Sequence, residues 1–543
     1  MERVYTSPTL GDVVKYAVAA SGVMPRKAHD RLDETEFDQS MAKTYQKRMQ
    51  RLAKEDCHLQ STFEEIAKLL TSTLGRYVRC GFRAEQIREL LNDLHESYAS
   101  LIKQVGTYMT KTDTARYFLT SYAIEIAVRS AARTWIVMQG YIYAAPQPME
   151  PCWYLPSNVD GEISTPLSKV MAWAYAACGL SLSTFHDPLG TQDETGRYER
   201  NERVARSWKA GKHLPSLPAL VKNLEDSFNA QALIGNPVEQ RLQDGIVTCA
   251  VIARITTFIT QDVQKVFGRD FLKETLSQTR LYAGWMAAEI NEYLANLNRH
   301  LVKQTPEIEP LSESGTTFEL VSQASIRLKK RVSLGIKMAP DFWAFFEAKC
   351  QTAHDLIVKY RGADGRVPES VIIWVEKRYG AYAARIRADV ISRWRLDKPA
   401  DFDRYVQQGM VMRNLQDLTL EDVNSYHEEM SCASVAGRLP WLVEWLKGIV
   451  FYRSADYAAS SVHYTQAFKL AKYSAGDLQY LLVNQYLEVM AKTNRWLDFK
   501  QGALWASYLD LPVRWLRDRG PTDANIRKAF IVLGLSQMQY THL

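Results

Sequence analysis

Basic and amide side chains alternate along residues 197–212 at a spacing that suits contact with a nucleic acid. The segment predicts a helix from about Asn201 to Lys209 that offers Asn201, Arg203 and Arg206 outward. The flanking cations are Arg197, Arg200, Lys209 and Lys212. Arginine and asparagine match the hydrogen-bonding edges of guanine and adenine, whereas lysine suits phosphate. A merely solvated helix face would show the same composition, so both interpretations stay open here.

A second cationic stripe lies in residues 43–54. Its members share one polar helical pattern and are Lys43, Gln46, Lys47, Arg48, Gln50, Arg51 and Lys54. Two such stripes on one chain could contact two DNA half-sites, whose spacing would be set by the distance between the stripes as it is in a dimer. Double-stranded DNA is the partner that this chemistry predicts, and it requires no cofactor or metal.

Common catalytic motifs are missing from the sequence, which leaves open only a site, such as that of a nuclease, whose acidic residues are brought together by folding. There is no GxxxxGK[ST] phosphate loop, no HExxH zinc pair and no GxSxG nucleophile turn. A His-Asp pair occurs twice, as His29-Asp30 and His186-Asp187. Adjacent residues point to different faces of a helix, unlike an i, i+4 ligand pair. We expect these pairs to be structural, for example hydrogen-bonded at a helix end, and we predict a protein that is not an enzyme.

The elements that must position these side chains are helices. Apolar residues recur at spacings of three and four, as in Ile87, Leu90, Leu91 and Leu94, and strand-like alternation is nearly absent. This periodicity predicts an all-α fold. The length of 543 residues exceeds what one hydrophobic core usually organises, so we expect several domains.

Composition limits the class of protein but not its partner. Hydrophobic residues at 46% and charged residues at 24% match an ordinary globular protein, and a net charge of +6 is compatible with nucleic acid without arguing for it. Uninterrupted apolar runs fall short of the roughly 20 residues of a spanning helix, and the N-terminus lacks a signal-peptide pattern. We therefore predict a cytoplasmic protein without membrane contact. Seven scattered cysteines are expected to be reduced thiols.

Two helix-breaking stretches divide the chain. Residues 144–166 carry five prolines, and residues 305–316 are polar and acidic with further proline and glycine. Continuous helices cannot cross either stretch, so domain boundaries are expected at both.

The two halves that precede residue 305 share one template. Residues 13–23 and 170–180 align without gaps, with valine, alanine and glycine at matching positions. After small length differences the register recovers, because His58-Leu-Gln-Ser aligns with His213-Leu-Pro-Ser. Chance similarity between two alanine-rich helices is the alternative. The long shared register favours an internal duplication.

An ordered set of residues in the second half has a known pattern. In chain order the set is Gly179-Leu180-Ser181, Phe185, Leu189-Gly190, Val204, Trp208, Gly211 and Pro215-Ser216. Gly179 can end a helix in the left-handed conformation, Ser181 can cap the next one, and Trp208 can close a small core. The pattern resembles the Xre-like, phage-repressor type of helix-turn-helix. That resemblance implies a recognition helix at residues 201–209 that reads DNA.

The sequence departs from the family pattern in identifiable places. His186 stands where the family usually has a small alanine, and about ten extra residues, around 191–200, separate the supporting helix from the recognition helix. A longer turn changes the angle between those helices. In the first half, Ala53 and Asp56 replace the family's tryptophan and glycine.

The C-terminal residues resemble tetratricopeptide helix pairs. The first pair is carried by Trp445, Gly448, Phe451, Tyr457, Ser460, Tyr464, Ala467 and Ala471, and the second by Leu481, Asn484, Tyr486, Ala491, Trp496, Phe499 and Trp505. In such repeats small residues let antiparallel helices approach and aromatic residues fill the gap. An ordinary helical bundle is the alternative. Either arrangement is expected to bind a partner protein or peptide.

These observations predict a chain of six segments. They are a helical domain with a degenerate helix-turn-helix (1–143), a proline-rich linker (144–166), a helical domain with an Xre-like helix-turn-helix (167–304), a linker (305–316), a helical domain without an assigned role (317–440) and tetratricopeptide-like repeats (441–543). The function implied is a DNA-binding bacterial regulator with a C-terminal protein-interaction domain. The alternative is a non-enzymatic helical scaffold subunit of a mobile-element or phage-defence complex.

Overall fold

The computed structural model describes residues 6–23, 36–54, 58–79, 84–104, 109–139, 146–150, 152–159, 162–304, 356–357, 359–360, 366–379, 399–513, 516 and 520–535. These residues are predominantly helical, which confirms the all-α fold class. The predictions on His29-Asp30 and Asp56, and most of those on residues 305–398, lie outside the described residues.

The N-terminal helices are α1 (Leu10–Ser21), α2 (Glu36–Lys54), α3 (Leu59–Tyr77), α4 (Ala84–Gln104), α5 (Lys111–Phe118) and α6 (Ile124–Gln139). Helix α1 begins with a capping box in which Thr9 and Asp12 exchange hydrogen bonds, as a helix start requires. It ends at Gly22, whose φ of 73° is left-handed. One π-helical turn, Leu119–Ala123, joins α5 to α6.

The proline-rich stretch is more ordered than a plain linker. It contains an antiparallel hairpin of β1 (Ser157–Val159) and β2 (Glu162–Ser164), with Ser157 opposite Ser164. Trp153 precedes the hairpin and is buried. The expectation that residues 144–166 only separate two domains was therefore too simple, because a large aromatic residue anchors the stretch to the core.

The helices that follow are α7 (Pro166–Ala177), α8 (Leu182–His186), α9 (Arg197–Lys209), α10 (Leu217–Leu233), α11 (Gln240–Phe267) and α12 (Arg269–Gln304). Proline occupies the first turn of both α7 and α10, where its missing N–H leaves no helical hydrogen bond unmade. Thr165 and Ser216 cap these two helices with their hydroxyl oxygens.

Helix α11 lies between α1 and α7. Towards α1 it presents Arg254, Phe258 and Asp262, which lie one helical turn apart. The centroid of the Phe258 ring is 5.6 Å from the centroid of the Tyr16 ring. On the α7 side, the hydroxyl of Thr257 accepts the N–H of Leu167 at 3.0 Å. By length and composition alone α11 could cross a membrane, but 67% of its most apolar window is buried inside the protein. A core helix passes the same test, so the prediction of no membrane contact stays a prediction.

The C-terminal helices are α13 (Glu369–Tyr379), α14 (Phe402–Asn414), α15 (Leu420–Cys432), α16 (Pro440–Arg453), α17 (Tyr457–Ala471), α18 (Gln479–Lys492), α19 (Trp496–Tyr508) and α20 (Asp523–Leu535). Helices α16 and α17 approach closely at Gly448, where a Cβ atom would lie 2.8 Å from the ring of Tyr464. Gly502 of α19 faces Tyr486 of α18 in the same way. Gln485 ties these pairs together, because its amide oxygen accepts Trp445 Nε1 at 2.8 Å.

The first helices share a hydrophobic core with the C-terminal helices. The N–H of Ser7 donates to the carbonyl of Tyr473 at 3.0 Å, and Gln479 Nε2 donates to the carbonyl of Ile102 at 3.1 Å. His95 of α4 is buried, stacks on Phe63 at 3.9 Å and lies 3.0 Å from the hydroxyl of Tyr508. Residues far apart in sequence thus form one packed region.

Candidate nucleic-acid interface

Helix α9 rests on a small core built by α7, α8 and α10. Its Ala205 and Trp208 are buried against the same cluster as Phe185 of α8. Gly179 has a φ of 68° and ends the turn after α7, and Ser181 caps α8 by accepting the N–H of Thr184. The local roles predicted for Gly179, Ser181 and Trp208 are confirmed.

The helix that carries the cations begins one turn earlier than predicted. A carboxylate oxygen of Asp193 accepts the backbone N–H groups of Arg197 at 2.7 Å and Tyr198 at 3.2 Å, which satisfies the first donors of α9. The hydroxyl of Thr195 also donates to Asp193, and these hydrogen bonds hold the pKa of that carboxyl below its usual value. A start at Asn201 was therefore wrong.

Asn201 does not face solvent. It is 7% exposed, and its carbonyl oxygen accepts Nδ2 of Asn223 at 3.3 Å. Because α9 begins at Arg197, Asn201 lies on the same helix face as Ala205 and Trp208, four and seven residues further on. The prediction that Asn201 reads a base from the outer surface is corrected, and its role is packing.

Arg203 and Arg206 lie on the outer face of α9, with side chains 73% and 69% exposed. Arg203 is 3.7 Å from Glu199 and Arg206 is 2.5 Å from Glu202, in each case one helical turn away. Exposed pairs of this kind stabilise a helix by only about 0.3–0.5 kcal/mol. Both guanidinium groups can therefore exchange their partner for a phosphate or a base edge.

The other predicted cations of α9 are placed differently from one another. Arg200 and Lys212 are exposed. Arg197 forms a two-point contact with Asp226 of α10, including a 3.0 Å bond from Nε. Lys209 is half-buried and its ammonium lies 5.7 Å from the centre of the Tyr175 ring. Arg197 and Lys209 thus hold α9 on its core, whereas Arg200 and Lys212 remain available.

Acidic groups surround the N-terminal half of α9. The pKa of Asp187 is raised by its own desolvation and by the negative charges of Glu202, Glu199 and Asp193. A carboxyl whose pKa rises for this reason reports a locally negative potential. The cationic character of α9 is therefore concentrated on its outer face and towards Lys212.

The stripe on α2 has a simpler surface. Lys43, Lys47 and Arg51 are exposed, and Tyr45 and Leu52 are buried on the opposite side. Another predicted member, Arg48, is half-buried and binds Glu65 of α3, with its Nε atom 3.2 Å from a carboxylate oxygen. The exposed members are spaced four residues apart, so they form one row along the helix.

His186 is buried and completes a chain of three side chains. Its Nε2 lies 3.1 Å from the hydroxyl of Tyr175, and its Nδ1 lies 3.0 Å from Oγ of Ser227. Ser227 donates its own proton to the carbonyl of Asn223, so the imidazole donates through Nδ1 and accepts through Nε2.

These three hydrogen-bonded side chains differ from a catalytic triad in the positions of their protons and in their access to water. The imidazole donates to Ser227 and cannot accept its proton in this tautomer, and burial lowers the His186 pKa to about 3. His186, Tyr175 and Ser227 are all buried. The hydrogen bonds of His186 cross the core and do not lie at a helix end, and a structural role for the pair stays a prediction. A partner for each ring nitrogen also explains how the core accommodates histidine where the resembling family has alanine.

Sequence reasoning missed Arg254, the arginine that joins α1 to the second half. It is 1% exposed, and its guanidinium donates to the carbonyls of Pro215 at 2.9 Å, Ala19 at 3.4 Å and Ala20. Beside it, the N–H of Leu217 donates to the carbonyl of Gly22 at 2.9 Å. An arginine within an apolar helix was the available signal, since such a residue must find buried acceptors.

Neither a metal site nor a known relative points to further functional residues beyond those of α2 and α9. Within the ranges that the structure describes, no group of three or more His, Cys, Asp or Glu side chains is placed to hold a metal ion. No family model, no curated protein and no solved structure matches this chain.

Proposed function

We propose that this chain is a DNA-binding regulator that contacts duplex DNA through the outer face of α9. The observation that carries the proposal is the pair of exposed guanidinium groups of Arg203 and Arg206 on a helix whose other faces are fixed by a small core. Arginine is the side chain best suited to guanine edges and phosphates. Arg200 and Lys212 extend the same surface.

The internal duplication is part of this proposal. Two helices, α1 and α7, are each capped by a threonine, Thr9 and Thr165. Each is followed by a glycine in the left-handed conformation, Gly22 at 73° and Gly179 at 68°. In the alignment of residues 13–23 with 170–180 the two glycines occupy the same position, whereas the capping threonines differ by one position. The shared left-handed glycine supports a common origin of the two halves.

The C-terminal helices are proposed to bind a partner protein or peptide. The close approaches at Gly448 and Gly502 support tetratricopeptide-like pairing. The last described helix, α20, leaves Ile531 55% and Leu535 83% exposed. Apolar side chains exposed at the end of a helical stack are suited to a further protein surface.

A salt series on duplex DNA tests the proposal. Purified protein is titrated into a labelled random-sequence duplex of about 30 base pairs, because phosphate contacts make the affinity fall steeply with salt. We expect Arg203→Ala/Arg206→Ala to weaken binding and to flatten the salt dependence. The matched control is Lys273→Ala/Arg280→Ala on α12, which removes the same charge from another exposed surface. Equal binding by both variants would refute a role for α9.

A scaffold without DNA contact is the second candidate. The negative charges that raise the Asp187 pKa favour it, because a phosphate backbone approaching the start of α9 would meet Glu199, Glu202 and Asp193. The ten residues between α8 and α9 also exceed a tight turn. Absence of wild-type binding at low salt would refute the DNA-binding proposal and leave the scaffold as the remaining candidate.

A further inference from the structure

The exposed row on α2 consists of polar and cationic side chains without aromatic residues. Lys43, Gln46, Lys47, Gln50 and Arg51 are all exposed. Successive positions four residues apart rise by about 6 Å, so the row spans about 12 Å along the helix. One strand of a duplex presents a phosphate for every 3.4 Å of helix axis, so long lysine and arginine side chains can reach several consecutive phosphates.

Among the described residues, fewer acidic side chains lie beside the exposed row on α2 than beside α9. From position 39 to position 54 the sequence contains no Asp or Glu. Lys43 and Lys47 form no ion pair with any described residue. The neighbouring acids on α3 are already engaged, since Glu65 binds Arg48 and Glu64 accepts Gln60 Nε2 at 2.8 Å.

The chemistry of the row favours the backbone of a duplex. Proteins that hold single strands stack bases on aromatic side chains, and no aromatic residue is exposed among Lys43 to Arg51 because Tyr45 is buried. Lysine ammonium groups and glutamine amides donate to phosphate oxygens without reading the bases. Such contacts set affinity and position, whereas the arginines of α9 are suited to base edges.

We propose that α2 is a sequence-independent clamp for the phosphate backbone of duplex DNA, with Lys43 and Lys47 as its principal contacts. The inference rests on the proposed function and assigns the two helices different roles. Helix α2 supplies most of the salt-dependent affinity, and α9 supplies discrimination between sequences. The sequence alone predicted two basic stripes and did not divide these roles between them.

The test compares Lys43→Ala/Lys47→Ala with Lys273→Ala/Arg280→Ala and with Arg203→Ala/Arg206→Ala. Each full-length protein is titrated into two unrelated 30-base-pair duplexes from about 50 to 300 mM salt. Two lost phosphate contacts should lower the slope of log affinity against log salt by about 1.8, at about 0.9 each. We expect the α2 variant to lose at least about tenfold in affinity equally on both duplexes, with the α12 control unchanged. Circular dichroism checks that all variants fold.

The outcomes separate this inference from the proposed function. An unchanged slope in the α2 variant, with weakened binding in the α9 variant, overturns the clamp and leaves the α9 proposal standing. A lowered slope in the α2 variant, with wild-type behaviour in the α9 variant, supports the clamp and overturns α9. Loss on one duplex only, tighter binding of a single-stranded competitor, or no wild-type binding at low salt each overturns the clamp as stated.

Discussion

Replacing Gly22 by alanine tests the junction between the two halves. The glycine has a φ of 73°, and a Cβ atom there would lie 2.2 Å from Cζ of the Arg254 guanidinium. Gly179 has nearly the same backbone conformation, with a φ of 68°, but a Cβ atom there would meet no atom within 4 Å. The two substitutions therefore share the conformational cost and differ only in the clash with Arg254.

The size of the difference follows from the bonds that Arg254 would lose. A left-handed alanine costs about 1–2 kcal/mol, and the stiffer unfolded chain offsets part of this, so Gly179→Ala should lower the free energy of unfolding by about 1 kcal/mol. Displacing the guanidinium also breaks its bonds to the carbonyls of Pro215 and Ala20, at about 1.5–3 kcal/mol each for a charged donor. We expect a loss of about 4–7 kcal/mol in the free energy of unfolding for Gly22→Ala.

Urea unfolding followed by circular dichroism and by tryptophan fluorescence measures both variants. The double variant Gly22→Ala/Arg254→Ala isolates the clash, because alanine at 254 leaves nothing to displace. It should be no more than about 1 kcal/mol less stable than Arg254→Ala alone. Equal effects of Gly22→Ala and Gly179→Ala would refute the reasoning, as would full additivity of the double variant.

Two further predictions concern the buried histidine and the helix contacts. The pKa of His186 is about 3 in the folded protein and about 6.5 when unfolded, so the unfolded state gains the proton first as pH falls. The contribution of His186 to stability is therefore nearly constant above pH 6.5 and is lost below it, by about 2 kcal/mol at pH 5. Thermal unfolding between pH 7.5 and 5 should show a shallower loss in His186→Gln, while the exposed control His213→Gln should follow the wild type. Gly448→Ala should cost about 1–3 kcal/mol because the new methyl group meets the buried ring of Tyr464 at 2.8 Å. At Gly284, in the middle of α12, a Cβ atom would meet no atom within 4 Å, so Gly284→Ala should raise the unfolding free energy by about 0.5–1 kcal/mol. Denaturation midpoints of Gly448→Ala and Gly284→Ala that shift in the same direction would contradict these two predictions.

The features that sequence reasoning predicted are those with local causes. A glycine that can be left-handed, a serine that can cap and a tryptophan on an apolar face act within a few residues of themselves, which is why Gly179, Ser181 and Trp208 lie as expected. The all-α class follows from periodicity over similarly short distances. The start of α9 was missed because a family template, and not the capping capacity of Asp193, was used to place it.

The features that sequence reasoning missed depend on partners that are distant in the sequence. Whether Asn201 is buried depends on where α9 meets α10, and whether the α9 arginines are more accessible than the α2 lysines depends on which carboxylates fold beside them. The buried Arg254 contacts carbonyls 234 and 235 residues away in sequence. Composition and spacing carry no information about such pairs, so the ranking of the two basic helices could only come from the structure.

The bond between His95 and Tyr508 has a consequence for how the chain is made. The two residues are 413 positions apart, so α4 cannot acquire this contact until nearly the whole chain has been synthesised. At about 5–20 residues per second that interval is roughly 20 to 80 s. During it the stacked pair of His95 and Phe63 is open to water or to another protein. The stacked pair therefore reaches its buried environment only after the C-terminal helices have emerged from the ribosome.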